Sequence, residues 1–196
     1  MSRPWFRVDY CIHCCTLVKK ENYGMTIRDI RLFGDPILST TAQAITVFDS
    51  SLQLLARDML ETMEHAGGVG LAANQIGIAK RIFVYDCSHV NPGMRGVLVN
   101  PVWKPVGEQI VQGTEGCLSI PGISASTPRF HQVSVRGQDE CGRPVGLVVS
   151  GLMARCVQHE TDHLDGVLFL QRLAAPERKL AMAKVHQAPW FSVADA

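Results

Sequence analysis

The chain has 196 residues, a formal net charge of +1, 46% hydrophobic and 19% charged residues. One domain with a real core is the default at this length, and so small a net charge gives no bulk electrostatic reason to expect nucleic-acid or membrane-surface binding. No apolar run approaches a membrane span, the N-terminus lacks the apolar core of a secretory signal, and seven cysteines, an odd number, argue against a disulfide scaffold and for a reducing cytoplasm.

Residues 1–24 read as an N-terminal extension with little order, and residues 25–196 as one folded domain. Cys11, His13, Cys14 and Cys15 crowd together in the extension. They have no second Cys/His pair nearby, which a zinc site needs, so a terminus not tied into the fold is the expected reading. Met25 is an alternative start position. Asp49–His65 is predicted to be an amphipathic helix. Leu52, Leu55, Ala56, Met59, Leu60 and Met63 follow the spacing of a buried stripe. Asp49 or Ser50 can cap its start and Gly67 can end it. Short strands are expected at Arg81–Asp86 and Val97–Asn100, and a hairpin at Gln132–Gly137 and Val145–Val149 around Asp139–Gly142. A helix follows from about Leu152 to Leu164, with Ser150 as its cap. The last helix is Glu177–Val185, with Arg178, Lys179 and Lys184 on a solvated face.

The Leu152–Leu164 helix carries the chemistry. Leu152, Cys156, His159 and His163 fall at offsets that place all four within an arc of about 60° at ~100° per residue. His159-Glu-Thr-Asp-His163 is a His-Glu-x-x-His pattern, so both imidazoles can reach one metal while Glu160 stands beside it as a base. Metal, water and carboxylate together point to hydrolysis. A third ligand is required. Where one large metalloprotease class has a further histidine this chain has Phe169, and Glu177 lies too close behind His163 to serve well. The remaining candidates lie upstream, and Cys117 stands out in the polar stretch Glu115-Gly-Cys-Leu-Ser119. One thiolate and two imidazoles leave a position for water, and they suit zinc, iron(II), cobalt or nickel alike.

Three segments, Gly68-Val-Gly-Leu-Ala-Ala-Asn-Gln75, Glu115-Gly-Cys-Leu-Ser119 and Gln158-His-Glu-Thr-Asp-His163, resemble in order the three motifs of the peptide deformylase family. The resemblance runs from about Met25 to about Val185. It implies an α+β fold with antiparallel β-sheets surrounding a central metal-binding helix. It also implies removal of the formyl group from the N-terminal formyl-methionine of newly made proteins, with release of formate. Cys117, His159 and His163 then hold the metal, and Glu160 is general base and acid. The side chain of Gln75 and the N–H of Leu118 stabilise the oxyanion. Val69, Gly70 and Gly116 bind the peptide main chain as an added strand, and Val69, Leu152 and Cys156 form the methionine pocket. Iron(II) is implied in the cell, with zinc or nickel able to fill the site in purified protein. The implied partners are N-formylmethionyl nascent peptides, with docking to the ribosome near its exit tunnel left open.

Two positions depart from the family pattern. Ser124 stands where some members carry an arginine. Arg155 stands beside the methionine pocket, where an apolar residue is common; its stem is expected to line the pocket while its head reaches water. Glu115 and Arg129 are a candidate supporting ion pair. A peptidase built on the same helix would need a third ligand other than Cys117, and none is evident. A non-catalytic binding protein should have lost Glu160 or a ligand, and all are intact.

Overall fold

The computed structural model describes residues 26–191; the Cys11–Cys15 cluster and the 1–24 extension lie outside the described residues. The elements are α1 (Ser50–His65), β1 (Gly70–Ala72), β2 (Ile82–Asp86), β3 (Arg95–Pro105), β4 (Ile110–Cys117), β5 (Ile120–Phe130), β6 (Gln132–Gln138), β7 (Pro144–Ser150), α2 (Gly151–Leu164) and α3 (Ala175–Gln187). A five-stranded sheet has the order β1-β2-β3-β6-β7, and β4 and β5 form a separate hairpin. All these strand pairs are antiparallel. The α+β expectation is met.

Side-chain alternation explains the layers. Along β2, Phe83 and Tyr85 join the apolar cluster shared with Met153 and Val157 of α2. Ile82 and Val84 join Leu52, Leu55, Met59 and Met63 of α1. Successive residues on a strand point to opposite faces, so α1 and α2 cover the two faces of one sheet and β2 is buried on both. A third cluster packs Ile120 and Ile123 of β5 against Phe169, Leu170, Ala181 and Val185, which seats α3 on the hairpin. Asn100 adopts φ 50 at the β3 irregularity. Its side chain binds both the N–H and the carbonyl of Ile45 at 2.8 Å and so ties down the segment leading into α1.

The expected helix at Asp49–His65 is α1, and the Asp49 carboxylate accepts from Leu52 N at 3.1 Å. The hairpin of β6 and β7 also forms as expected. Three expectations need correction. Ser150 occupies the cap position of α2, but its side chain makes no capping bond; the chain passes directly from β7 into α2 through Gly151 at φ +60, a conformation open to glycine. The Val97–Asn100 strand is the middle of the much longer β3. Glu115–Ser119, read as a polar stretch, belongs largely to a strand: Glu115, Gly116 and Cys117 complete β4 and only Leu118 and Ser119 form its turn into β5.

Candidate metal centre and substrate cleft

Eleven of the fourteen residues of α2 are buried, including Gln158, His159, Glu160, Thr161, Asp162 and His163. Burying so many polar groups is tolerable when most are partnered, and each exception calls for a reason. Gln158 bonds both the N–H and the carbonyl of Phe130 at 2.9 Å. Asp162 accepts from Arg129 at 2.6 Å and from Arg172 at 2.6 and 3.0 Å. Arg129 also forks onto Glu115 at 2.8 and 2.9 Å. The Glu115–Arg129 pair expected from the sequence therefore forms, and it is deep: the two side chains are only 4% and 5% exposed. Glu115 in turn lies 3.0 Å from His159 Nδ1. Burial alone would raise the Glu115 carboxyl, but hydrogen bonds from His159 and Arg129 outweigh it and hold the group at about 2.

Cys117 ends β4 at a register shift, which turns its side chain toward α2. Its Sγ lies 3.2 Å from His163 Nε2. One donor atom each from Cys117, His159 and His163 falls within 4.8 Å of the others. With His159 Nδ1 engaged by Glu115, Nε2 is the nitrogen left for a metal, an arrangement that fixes ring and tautomer. His163 Nδ1 and Glu160 Oε2 are buried without a hydrogen-bond partner in the protein. A thiol, two imidazoles and an unpaired carboxylate oxygen gathered in one spot fit a divalent ion favouring nitrogen and sulfur. Burial pushes the Glu160 carboxyl up to about 7, with His159 lowering it and Glu115 raising it. A carboxyl near neutrality can both take and return a proton.

Gln75 sits in the short helical turn after β1. Its Oε1 accepts from Ala72 N at 2.9 Å, which leaves the amide nitrogen facing Ser119 Oγ at 3.2 Å and Cys117 Sγ at 3.6 Å. A cleft of about 610 Å³ opens over these groups. Its walls include Val69, Gly70, Gln75, Gly116, Cys117, Leu118, Leu152, Cys156, His159 and Glu160. All the residues assigned from the sequence to substrate or catalysis thus meet at one cleft, with His163 just beneath it.

Gly70 has a reason beyond ligand approach. A Cβ there would run into Glu160 Oε1 and lie 2.8 Å from Cys156 Sγ. Gly70→Ala is therefore expected to displace Glu160 and lower kcat by at least ~100-fold, the range of a lost general base, with little change in metal content. Parallel kcat and metal measurements test this, and unaltered kcat would show that Glu160 has room to move.

The head of Arg155 does not reach water as expected. Its Nη1 bonds Glu115 Oε1 and Thr127 O at 2.8 Å, and Nη2 bonds Val111 O at 3.2 Å. The sequence shows a cation next to an apolar pocket; only the fold shows that buried acceptors wait for it on β4 and β5.

The polypeptide deformylase family model matches residues 27–179. The chain belongs to the peptide deformylase family. It is 59% identical over 168 residues to peptide deformylase 1 of Corynebacterium efficiens, covering 86% of this chain and 99% of that protein. Against peptide deformylase 1 of Corynebacterium glutamicum the identity is 56% over the same length. Among solved structures, the peptide deformylase of Thermus thermophilus is similar with TM-score 0.76 and 46% identity, over 82% of this chain and 94% of that one. The Synechococcus elongatus peptide deformylase in complex with actinonin also gives TM-score 0.76, at 40% identity over 84% and 90%. Membership makes the chain a metal-dependent hydrolase that removes N-terminal formyl groups from peptides. Among the described residues, no helix is long and apolar enough to cross a membrane.

Proposed function

We propose that Cys117, His159 and His163 hold one divalent metal ion and that Glu160, Gln75 and Leu118 deformylate the N-terminal formyl-methionine beside it. The observation that carries this is one thiol and two imidazoles within 4.8 Å, with Cys117 and His159 on the wall of a cleft that also contains Glu160 and Gln75. When bound, the ion supplies Lewis acidity and makes water a nucleophile near neutral pH; iron(II) is the proposed ion in the cell.

The chain's own groups do the rest. Glu160, buried and near neutrality, takes a proton from the attacking water and returns it to the departing amine as the C–N bond breaks, so that one water yields formate and a free amino terminus. The amide of Gln75 and the N–H of Leu118 donate to the oxyanion without adding charge. Val69, Gly70 and Gly116 offer backbone to the peptide as an added strand. Val69, Leu152 and Cys156 receive the methionine side chain. The substrates are then nascent chains in the cytoplasm.

Formate release from formyl-Met-Ala-Ser tests the proposal. Anaerobically purified protein loaded with iron(II) or nickel(II) is compared on that peptide and on acetyl-Met-Ala-Ser. Formate without acetate is the expected result. No release from either peptide, with metal confirmed bound, overturns it.

A further inference from the structure

We infer that Arg155 is a positioning residue: through Glu115 it holds the Cys117-bearing hairpin against α2, and Gly113 is the position that admits it. The inference rests on Cys117, His159 and His163 being the metal ligands.

Those three ligands come from two elements that are not adjacent in the chain, β4 and α2. Something must fix β4 against α2, because a metal site tolerates little error in donor placement. Arg155 is on α2, one helical turn before His159. Its guanidinium reaches three acceptors on the hairpin: Glu115 Oε1 at 2.8 Å, Thr127 O at 2.8 Å and Val111 O at 3.2 Å. The side chain is 13% exposed, so water competes little for these bonds. Glu115 then accepts four hydrogen bonds: two from Arg129, one from Arg155 and one from His159 Nδ1. A carboxylate has about four lone-pair sites. Glu115 is therefore filled and has no freedom to rotate away from His159.

Gly113 is the second observation. A Cβ on it would lie 2.6 Å from Arg155 Nη2 and 2.9 Å from Cζ. The end of an arginine can ordinarily swing aside, but three hydrogen bonds fix this one. Gly113 and Arg155 are thus a matched pair, one supplying the space and the other filling it.

The test uses full-length protein loaded with zinc, with the rate of metal loss to excess EDTA read beside Tm, kcat and KM on formyl-Met-Ala-Ser. Arg155→Leu is expected to lose metal at least ~10-fold faster, the scale for removing a group that orients a ligand, and to lower kcat more than it raises KM. Arg155→Lys reaches one acceptor rather than three and should fall between. Gly113→Ala, which keeps the arginine and guards against misfolding of the leucine variant, should speed metal loss by itself yet add nothing in the Arg155→Leu background. A rise in KM alone, with normal metal retention, would make Arg155 only a pocket wall and overturn the inference. A fall in Tm alone would make it only a structural tie, with the same consequence. Full rescue by lysine would overturn the three-acceptor clamp. Absence of metal from the unmodified protein would overturn the ligand assignment as well, whereas metal retained equally by all variants overturns this inference alone.

Discussion

Glu160→Ala is expected to keep its metal and to lose about 10²- to 10⁴-fold in kcat, the usual contribution of a positioned general acid–base. Glu160 is separable from the proposed metal because Cys117, His159 and His163 can supply three donors without it, and Glu160 is only 3% exposed beside them. Removing the carboxylate leaves water to find its own proton acceptor in a cleft whose other carboxylate, Glu115, is filled by two guanidiniums and an imidazole. Glu160→Gln keeps the shape and should fail to a similar degree, since an amide cannot take the proton. The check is kcat on formyl-Met-Ala-Ser with elemental analysis of the same sample. Turnover within a few-fold of the unmodified protein would remove Glu160 from the mechanism; loss of metal would make it a ligand or a support.

Arg129→Ala is expected to destabilise the fold by about 3–5 kcal/mol, the range for breaking a buried ion pair from one side. Arg129 is 5% exposed and bridges Glu115 of β4 to Asp162 of α2. Its loss leaves two buried carboxylates short of a partner and opens a hole where the guanidinium lay. Arg172→Ala is the comparison. Arg172 also binds Asp162, but its side chain is 48% exposed, and water and salt screen such a pair, so under ~1 kcal/mol is expected. Urea unfolding of both variants decides the matter. Equal, small losses would mean that Arg155, Arg172 and His159 can carry the two carboxylates without Arg129.

These predictions also mark how far the chain could be read from its residues. The helix carrying His159, Glu160 and His163 was legible because its information is local: a four-residue spacing puts two side chains on one face wherever the helix lies. The stripe on α1 was legible for the same reason, and so was the β6–β7 hairpin. The β4–β5 hairpin was not. Its inward positions include Glu115, Thr127 and Arg129, all buried, so the usual alternation of apolar and polar residues is broken. Glu115 and Arg129 are buried because they meet each other 14 residues apart and find further partners 40 and 33 residues away, and no local pattern records the longer two. Arg155 misled in the same way. A cation beside an apolar pocket is expected to send its head to water, and the rule fails where three acceptors on another element offer more.

The sequence by itself determined the family and singled out the donor types and the carboxylate proposed as acid and base, because motif spacing and residue chemistry belong to the chain whatever surrounds it. Tertiary structure decided which cations lie at the site, that a Cβ at Gly70 or Gly113 would crowd Glu160 or Arg155, and how tightly Glu115 is held. Hydrogen bonds between β4, β5 and α2 depend on positions set by the packing of a whole sheet and two helices, and such positions are a property of the folded core rather than of any segment within it.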